Sequence, residues 1–500
     1  MTNTDERLRA PTGPRNQWKT LDKDLGRIVS IEMAAARLSR PLVAPGLALL
    51  FVVVVAIAAL ALIGASGSSL IIVGAAVIAA YMALNIGAND VANNMGPAVG
   101  AKALTMGSAL IIAAICETAG ALIAGGDVVT TISSGIVSPE VVADSSTFVW
   151  LMLSALIAAA LWINIATLFG APVSTTHSVV GGVVGAGIMA AGFGVVDWGK
   201  MSGIAASWVI SPVLGGVIAA AMLAFIKAKI AYVDDKIAAA RRWVPVLIGV
   251  MGGVFATYLA MKGLRRIFPV DAGTALWIGF AVGIASWLAA RPLIAYQSKG
   301  LENRKKSLRA LFALPLVISA ALLSFAHGAN DVANAVGPLA AVVHTVQAGD
   351  ISAQVAIPSW VMIIGALGIS LGLMLFGPKL ITMVGDQITK LNPMRAYCVA
   401  LSAAVTVIIA SWLGLPVSST HIAVGGIFGV GFFREWHAEK RARMLGLQKG
   451  KVVPADERRR RKLVRRSHAV TVAAAWVITV PFSAILSAGV FFVMSQFALN

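Results

Sequence analysis

Charge is what this 500-residue sequence has least of: 12% of its residues are Asp, Glu, Lys or Arg, against 58% hydrophobic. That scarcity excludes an ordinary soluble domain, whose helices and strands set apolar against charged faces. About a dozen stretches of roughly 20 residues run on almost without charge, each long enough to cross a bilayer. Short segments of alternating polarity are missing, which excludes a membrane β-barrel. Cysteine is nearly absent, and Cys116 and Cys398 both lie inside apolar runs, so neither a disulfide framework nor a cysteine metal cage is indicated. The 6 histidines form no ligand cluster and no nucleophile–base pair, so the sequence offers no enzyme and no metal site. Acidic residues are scarce too, 22 against 40 Lys and Arg, for a formal charge of +18. Such a balance can attract nucleic acid, but here the basic residues cluster between apolar runs, as cytoplasmic loops do. The class is an all-α polytopic membrane protein that binds no nucleic acid.

Residues 1–44 carry mixed charge without the layout of a signal peptide, and read as a cytoplasmic tail. An additional span follows at 45–65. A first set of segments occupies 69–226, at about 69–88, 104–125, 148–170, the short glycine-rich 173–191, and 203–226. The linker 227–309 holds two spans, near 243–261 and 273–291, between basic loops. A second set fills 310–500, at about 310–329, 358–376, 395–413, the short 417–433, and 469–495. Its loop 434–468 contains Arg458-Arg459-Arg460-Arg461-Lys462. Such a run could hold RNA; beside a transmembrane helix it reads as a loop touching anionic lipid.

Two phrases recur. Asn85–Gly100, NIGANDVANNMGPAVG, is answered by His327–Ala340, HGANDVANAVGPLA. APVSTTHSVVGGVVGAG, from Ala171, is answered by LPVSSTHIAVGGIFGVG, from Leu415. Recurrence of two unrelated phrases in one order marks an internal duplication. Keeping every basic loop inside makes 69–88 run inwards and 310–329 outwards. With the glycine-rich segments counted as crossings there are 12–13 segments, five in each repeat, and an odd number is what an inverted-topology repeat with broken half-helices requires.

The repeated polar residues lie in apolar company. An ionised carboxylate at membrane depth costs on the order of 2.5–3.5 kcal/mol, so Asp90 and Asp331 need a reason to be there. One is capping of a helix that starts after a break. The other is chemical: Asn89, Asp90 and Asn93, and Asn330, Asp331 and Asn334, offer hard oxygens over one helical turn, suited to a small cation or a proton. The second phrase is complementary. Pro172 and Pro416 break a helix. Ser174, Thr175 and Thr176, and Ser418, Ser419 and Thr420, then fall on the first turn of the next, where free N–H groups, the dipole and hydroxyls make an anion cradle. A plain serine N-cap is the alternative. His177 and His421 read as hydrogen-bonded structural residues or proton carriers. Glu117, alone in mid-span, reads as a coupling-ion or proton site, or as a packed, protonated carboxyl. The glycines after each phrase allow close helix packing.

These motifs resemble the inorganic phosphate transporter (PiT) family, in which GANDVAN occurs in two inverted halves, each followed by PVSTTH. The resemblance covers 70–226 and 310–495, and its bacterial low-affinity phosphate permease type is nearest. It implies a secondary transporter of the cytoplasmic (inner) membrane, importing inorganic phosphate by symport with protons, with no cofactor. Phosphate travelling as a complex with a divalent metal is also implied. Carried over residue by residue, the resemblance assigns Asp90, Asn93, Asp331, Asn334 and both Ser/Thr triplets to substrate. It assigns Asn89, Asp90, Glu117, Asn330 and Asp331 to the coupling ion. In the family the resemblance points to, sodium-coupled animal members have a glutamate in the second half, where this chain has Ala400; that departure favours protons over sodium. A sodium-coupled phosphate symporter, a sulfate permease of the same fold and a homo-oligomer are compatible with the sequence, whereas a channel needs no inverted pair of broken helices around buried carboxylates.

Overall fold

The computed structural model describes residues 42–64, 67–138, 141–142, 144–168, 173–264, 268–349, 357–387, 392–444 and 466–498. The chain falls into two units, Met1–Leu50 and Phe51–Asn500. Of the first, residues 42–50 are described, and they are helical. The second builds the bundle that holds the repeated phrases.

Among the described residues, eleven helices are long and apolar enough to cross a membrane. In chain order the helices are α1 (Leu42–Ile63), α2 (Gly67–Gly100), α3 (Met106–Ala124), the short α4 (Gly126–Thr130), α5 (Ser145–Leu168), α6 (Thr175–Ala191) and α7 (Trp198–Ile226). They continue with α8 (Lys236–Lys262), α9 (Ala272–Gln297), the single turn α10 (Leu308–Leu311), α11 (Ala313–Ala348), α12 (Ser359–Gln387), α13 (Pro393–Trp412), α14 (Ser419–Met444) and α15 (Arg466–Ala498). Apolar composition makes the helices, since a backbone in lipid must satisfy its polar groups within the segment. Polar residues start them: side chains of Thr105, Ser174, Asp197, Asp235, Asp271 and Asn392 accept from the first-turn N–H groups of α3, α6, α7, α8, α9 and α13.

Two apolar cores flank the polar centre. One gathers side chains of α2, α5, α6, α11 and α12. The other gathers α3, α7, α8, α13 and α14 with the far end of α2 and the first half of α11. The helices of the linker, α8 and α9, pack on each other through Gly249, Gly253, Gly279 and Gly283. The stretch between α3 and α5 turns back as α4 and a π-turn at Thr131–Gly135, where Thr131 Oγ1 donates to the Gly414 carbonyl at 2.7 Å.

The structure differs from the sequence expectation at the GAND phrases. Both were expected at helix ends, near 88 and 329, yet α2 and α11 run unbroken to Gly100 and Ala348. The N–H groups around Asp90 and Asp331 are therefore spent inside a helix, and neither residue is a cap. The polar Asn-Asp pair reads as the end of an apolar span, but here it is carried within the helix, and Pro97 and Pro338 further on are helical as well. The break expected at Pro416 is real, with residues 413–418 separating α13 from α14. Pro172 lies outside the described residues, as do 1–41 of the tail and 445–465 of the last basic loop. The 417–433 segment extends through α14 to Met444.

Candidate functional site

The two copies of each phrase meet at one centre, and they do so crosswise. Asn93 Nδ2, on α2, donates to Thr420 Oγ1 at the start of α14 (2.8 Å). Asn334 Nδ2, on α11, donates to Thr176 Oγ1 at the start of α6 (3.1 Å) and approaches Thr175 Oγ1 (3.4 Å). Each GAND helix thus serves the Ser/Thr turn of the other half. The prolines add to this: lacking N–H groups, Pro97 and Pro338 leave the carbonyls of Asn93 and Asn334 without the usual helical donor.

Asp90 lies between the two turns. Its Oδ1 accepts from Thr420 Oγ1 (3.1 Å) and its Oδ2 from Thr175 Oγ1 (3.3 Å). A carboxylate thereby sits where hydroxyls of both half-helix starts converge, the position suited to a substrate oxyanion. Of the serines, Ser174 Oγ accepts from His177 N–H (3.2 Å) and Ser418 Oγ from His421 N–H (3.4 Å), so both are N-caps. Ser419 Oγ is buried with no hydrogen-bond partner.

His327, one turn before Asp331, was not singled out in the sequence, and it joins the acids. Its Nε2 lies 3.0 Å from Asp331 Oδ2 and 3.6 Å from Asp90 Oδ2, and its Nδ1 lies 3.2 Å from Glu117 Oε2. All four side chains are buried. Asn94 Nδ2 donates to the other Glu117 oxygen at 2.9 Å. Asp90, His327 and Asp331 each offer an atom within 4.8 Å of the others, a grouping able to hold a cation. Asn94 Oδ1, Asp331 Oδ1 and Asn334 Oδ1 are buried acceptors left without donors. Buried polar atoms are nearly always satisfied, so open oxygens on the residues of the two GAND phrases are available to a ligand.

A model of the phosphate transporter family matches residues 86–487. The chain belongs to that family. A Helicobacter pylori protein named "Putative phosphate permease" is 49% identical over 437 residues, covering 86% of this chain and 82% of its own length. The Arabidopsis thaliana "Inorganic phosphate transporter 2-1, chloroplastic" is 36% identical over 433 residues, 81% of this chain and 69% of its own. A solved structure described as "The sodium-dependent phosphate transporter" superposes with a TM-score of 0.76 at 34% identity, covering 85% of this chain and 99% of that one. These relatives are permeases and transporters, not enzymes.

In this phosphate transporter family member the remaining expected residues divide. Asn330 braces the break before α14: its Nδ2 donates to Ser411 Oγ (3.0 Å) and the Leu415 carbonyl (3.1 Å), and its Oδ1 accepts from Val417 N–H (3.1 Å). Both ends of its amide are thus engaged in holding that break. The stretch ahead of α6 that would answer to Leu415, at 169–172, is outside the described residues. His177 and His421 pack edge to face on each other, centroids 4.8 Å apart, and His177 also lies against Trp208 at 4.0 Å. Thr118 and Ser370 hydroxyls meet at 2.6 Å between α3 and α12, a pair missed in the sequence because neither stands in a repeated phrase. The downstream glycines pack onto α15 and α7 rather than on the opposite half-helix. Gly181 and Gly185 lie against Val480 and Ala484, and Gly425 and Gly429 against Pro212 and Gly216.

Proposed function

We propose that this phosphate transporter family member imports inorganic phosphate by symport with protons, across the cytoplasmic (inner) membrane, through two inverted repeats that meet at the Asp90 centre. One observation carries the proton reading. Both ring nitrogens of His327 face carboxylate oxygens, at 3.0 and 3.2 Å. A neutral imidazole has one N–H, so three ionised carboxylates around a neutral ring supply one proton for two such contacts. The cluster is arranged for at least one proton more. Fully ionised around an imidazolium, the three acids still leave an excess of two negative charges, which is costly in a water-poor interior.

Coupling follows from the shared hydroxyls. While Asp90 is ionised, Thr175 and Thr420 donate to it. A proton or cation on Asp90 weakens that claim and releases both hydroxyls, with the helix N-termini behind them, to phosphate oxygens. Phosphate binding and cation loading are then linked through the same two side chains. An inside-negative potential opposes each negative charge by about 2.3 kcal/mol per 100 mV, so the co-transported charge is also what makes accumulation feasible.

Sodium is the second reading, favoured by the sodium-dependent structural neighbour and by the orphan oxygens, which suit a hard cation. A divalent ion arriving with phosphate would find the same donors. Labelled phosphate uptake into proteoliposomes, competed with sulfate and repeated with and without magnesium, tests the substrate. Phosphate uptake that sulfate leaves unchanged is expected; equal competition by sulfate would overturn the phosphate assignment.

A further inference from the structure

Stretches far apart in sequence bring cations together at one end of the bundle, away from the acid centre. Lys227 follows the last turn of α7, Arg395 lies in the first turn of α13, Arg434 lies on α14, and Lys305 and Arg309 flank the start of α10. α7 packs against α13 and α14, and α10 against α13. Lys227 feels the charges of Arg434, Arg395 and Lys305, and Arg395 feels those of Arg434 and Arg309. Lys227, Arg395 and Arg434 are partly buried, which their long stems do not require of them.

Rings line the cluster. Lys227 Nζ lies 4.8 Å over Phe433 and Lys305 Nζ 3.9 Å over Tyr232. Tyr232 stacks on His437 at 5.4 Å, and His437 lies 5.7 Å from Phe433. Among the described residues, none of the five cations is in an ion pair. The acid whose charge reaches Arg434 is Glu435, its neighbour on the helix. Interfacial lysines and arginines ordinarily turn outward to water or headgroups. Here Lys227, Arg395 and Arg434 stand half-buried at three helices that pack together, and like charges gathered in that way call for an anion between them. Two guanidinium forks and an ammonium suit the oxygens of a phosphate group.

We infer that Lys227, Arg395 and Arg434 form a second oxyanion site for a phosphate group, with Lys305 and Arg309 at its rim. It is distinct from the central site: Arg434 lies about 21 Å along α14 from Thr420 at 1.5 Å per residue. Two sources carry this chemistry, free inorganic phosphate and the headgroup of an anionic phospholipid. The site does not depend on the transport reading.

The test uses the full chain in nanodiscs of phosphatidylcholine alone or with phosphatidylglycerol. Labelled inorganic phosphate binding is measured by equilibrium dialysis, and retained phosphatidylglycerol by native mass spectrometry. The variants are Lys227→Gln, Arg434→Lys and the double Arg395→Gln/Arg434→Gln. Two classes of phosphate site in phosphatidylcholine discs, one weakened about tenfold or more in the double variant, would assign the site to free phosphate. Retention of phosphatidylglycerol by the parent chain and its loss in the double variant would assign it to lipid. Survival of the other phosphate class shows the variant is folded; if the double variant does not fold, Lys227→Gln and Arg434→Lys answer the same question. Phosphate binding and lipid retention that no variant changes would overturn the inference.

Discussion

Gly87 and Gly328 hold the same place in the two GAND phrases, and each lies against the backbone of a helix: Ile369 on α12 for the first, Glu117 on α3 for the second. The correspondence continues. Gly372 lies against Leu84 as Gly120 does against Phe325, and Gly377 against Val91 as Gly125 does against Val332. Packing is thus repeated almost position for position, while chemistry is not. Where the second copy has His327 the first has Ile86, and where the first half places Glu117 the second places Ile369. The duplicated scaffold brings two half-sites to one centre, and the unrepeated residues make that centre a single cluster rather than two.

Substitutions that equalise the halves or separate them test this contrast. The largest effect is expected from Asp90→Asn and Asp331→Asn, which keep the shape and remove a charge: each abolishes phosphate accumulation in proteoliposomes, although labelled phosphate exchange need not vanish. Next comes His327→Ile, which makes the second copy like the first and abolishes pH-driven uptake. The exchange Ile86→His/His327→Ile does not restore it, because a histidine at 86 would face Ile369 instead of an acid; restoration would mean the halves are interchangeable. Thr175→Val and Thr420→Val each delete a hydroxyl donated to Asp90. A bond to a charged group contributes about 1.5–3 kcal/mol, so phosphate KM should change tenfold or more. An unchanged KM in both variants would remove the shared hydroxyls from the coupling.

Gly87→Ala and Gly328→Ala test the repeated packing. Each places a methyl against helix backbone, at about 1–3 kcal/mol, and thermal unfolding in detergent should show similar losses for the two; harm from one alone would break the correspondence. The smallest effects belong to Ser174→Ala and Ser418→Ala. Loss of an N-cap costs about 1 kcal/mol, read as a modest fall in Tm and weakened phosphate uptake.

Much of this was legible in the sequence. Apolar runs marked the spans, and the double phrases marked the residues that converge, because lone polar groups in such runs are conspicuous. The hydrogen-bond partners were not legible, since Asn93 reaches Thr420 only once α2 meets α14. His327 stood in plain view inside the second phrase and was passed over: a search for what repeats is blind to what does not. Its importance rests on α11 packing against α3, which sets Glu117 beside it. The continuity of α2 and α11 escaped for a local reason: Asn-Asp at the close of an apolar run reads as the end of a span, whereas inside a bundle other helices can take up those polar groups.

The central claim is that the buried acid–histidine cluster couples phosphate to protons. Labelled phosphate uptake into proteoliposomes, with pH and sodium gradients imposed separately, addresses it most directly. The account predicts uptake that follows the pH gradient and collapses with a protonophore even while a sodium gradient is held. Uptake that follows sodium at fixed pH and survives the protonophore would contradict it.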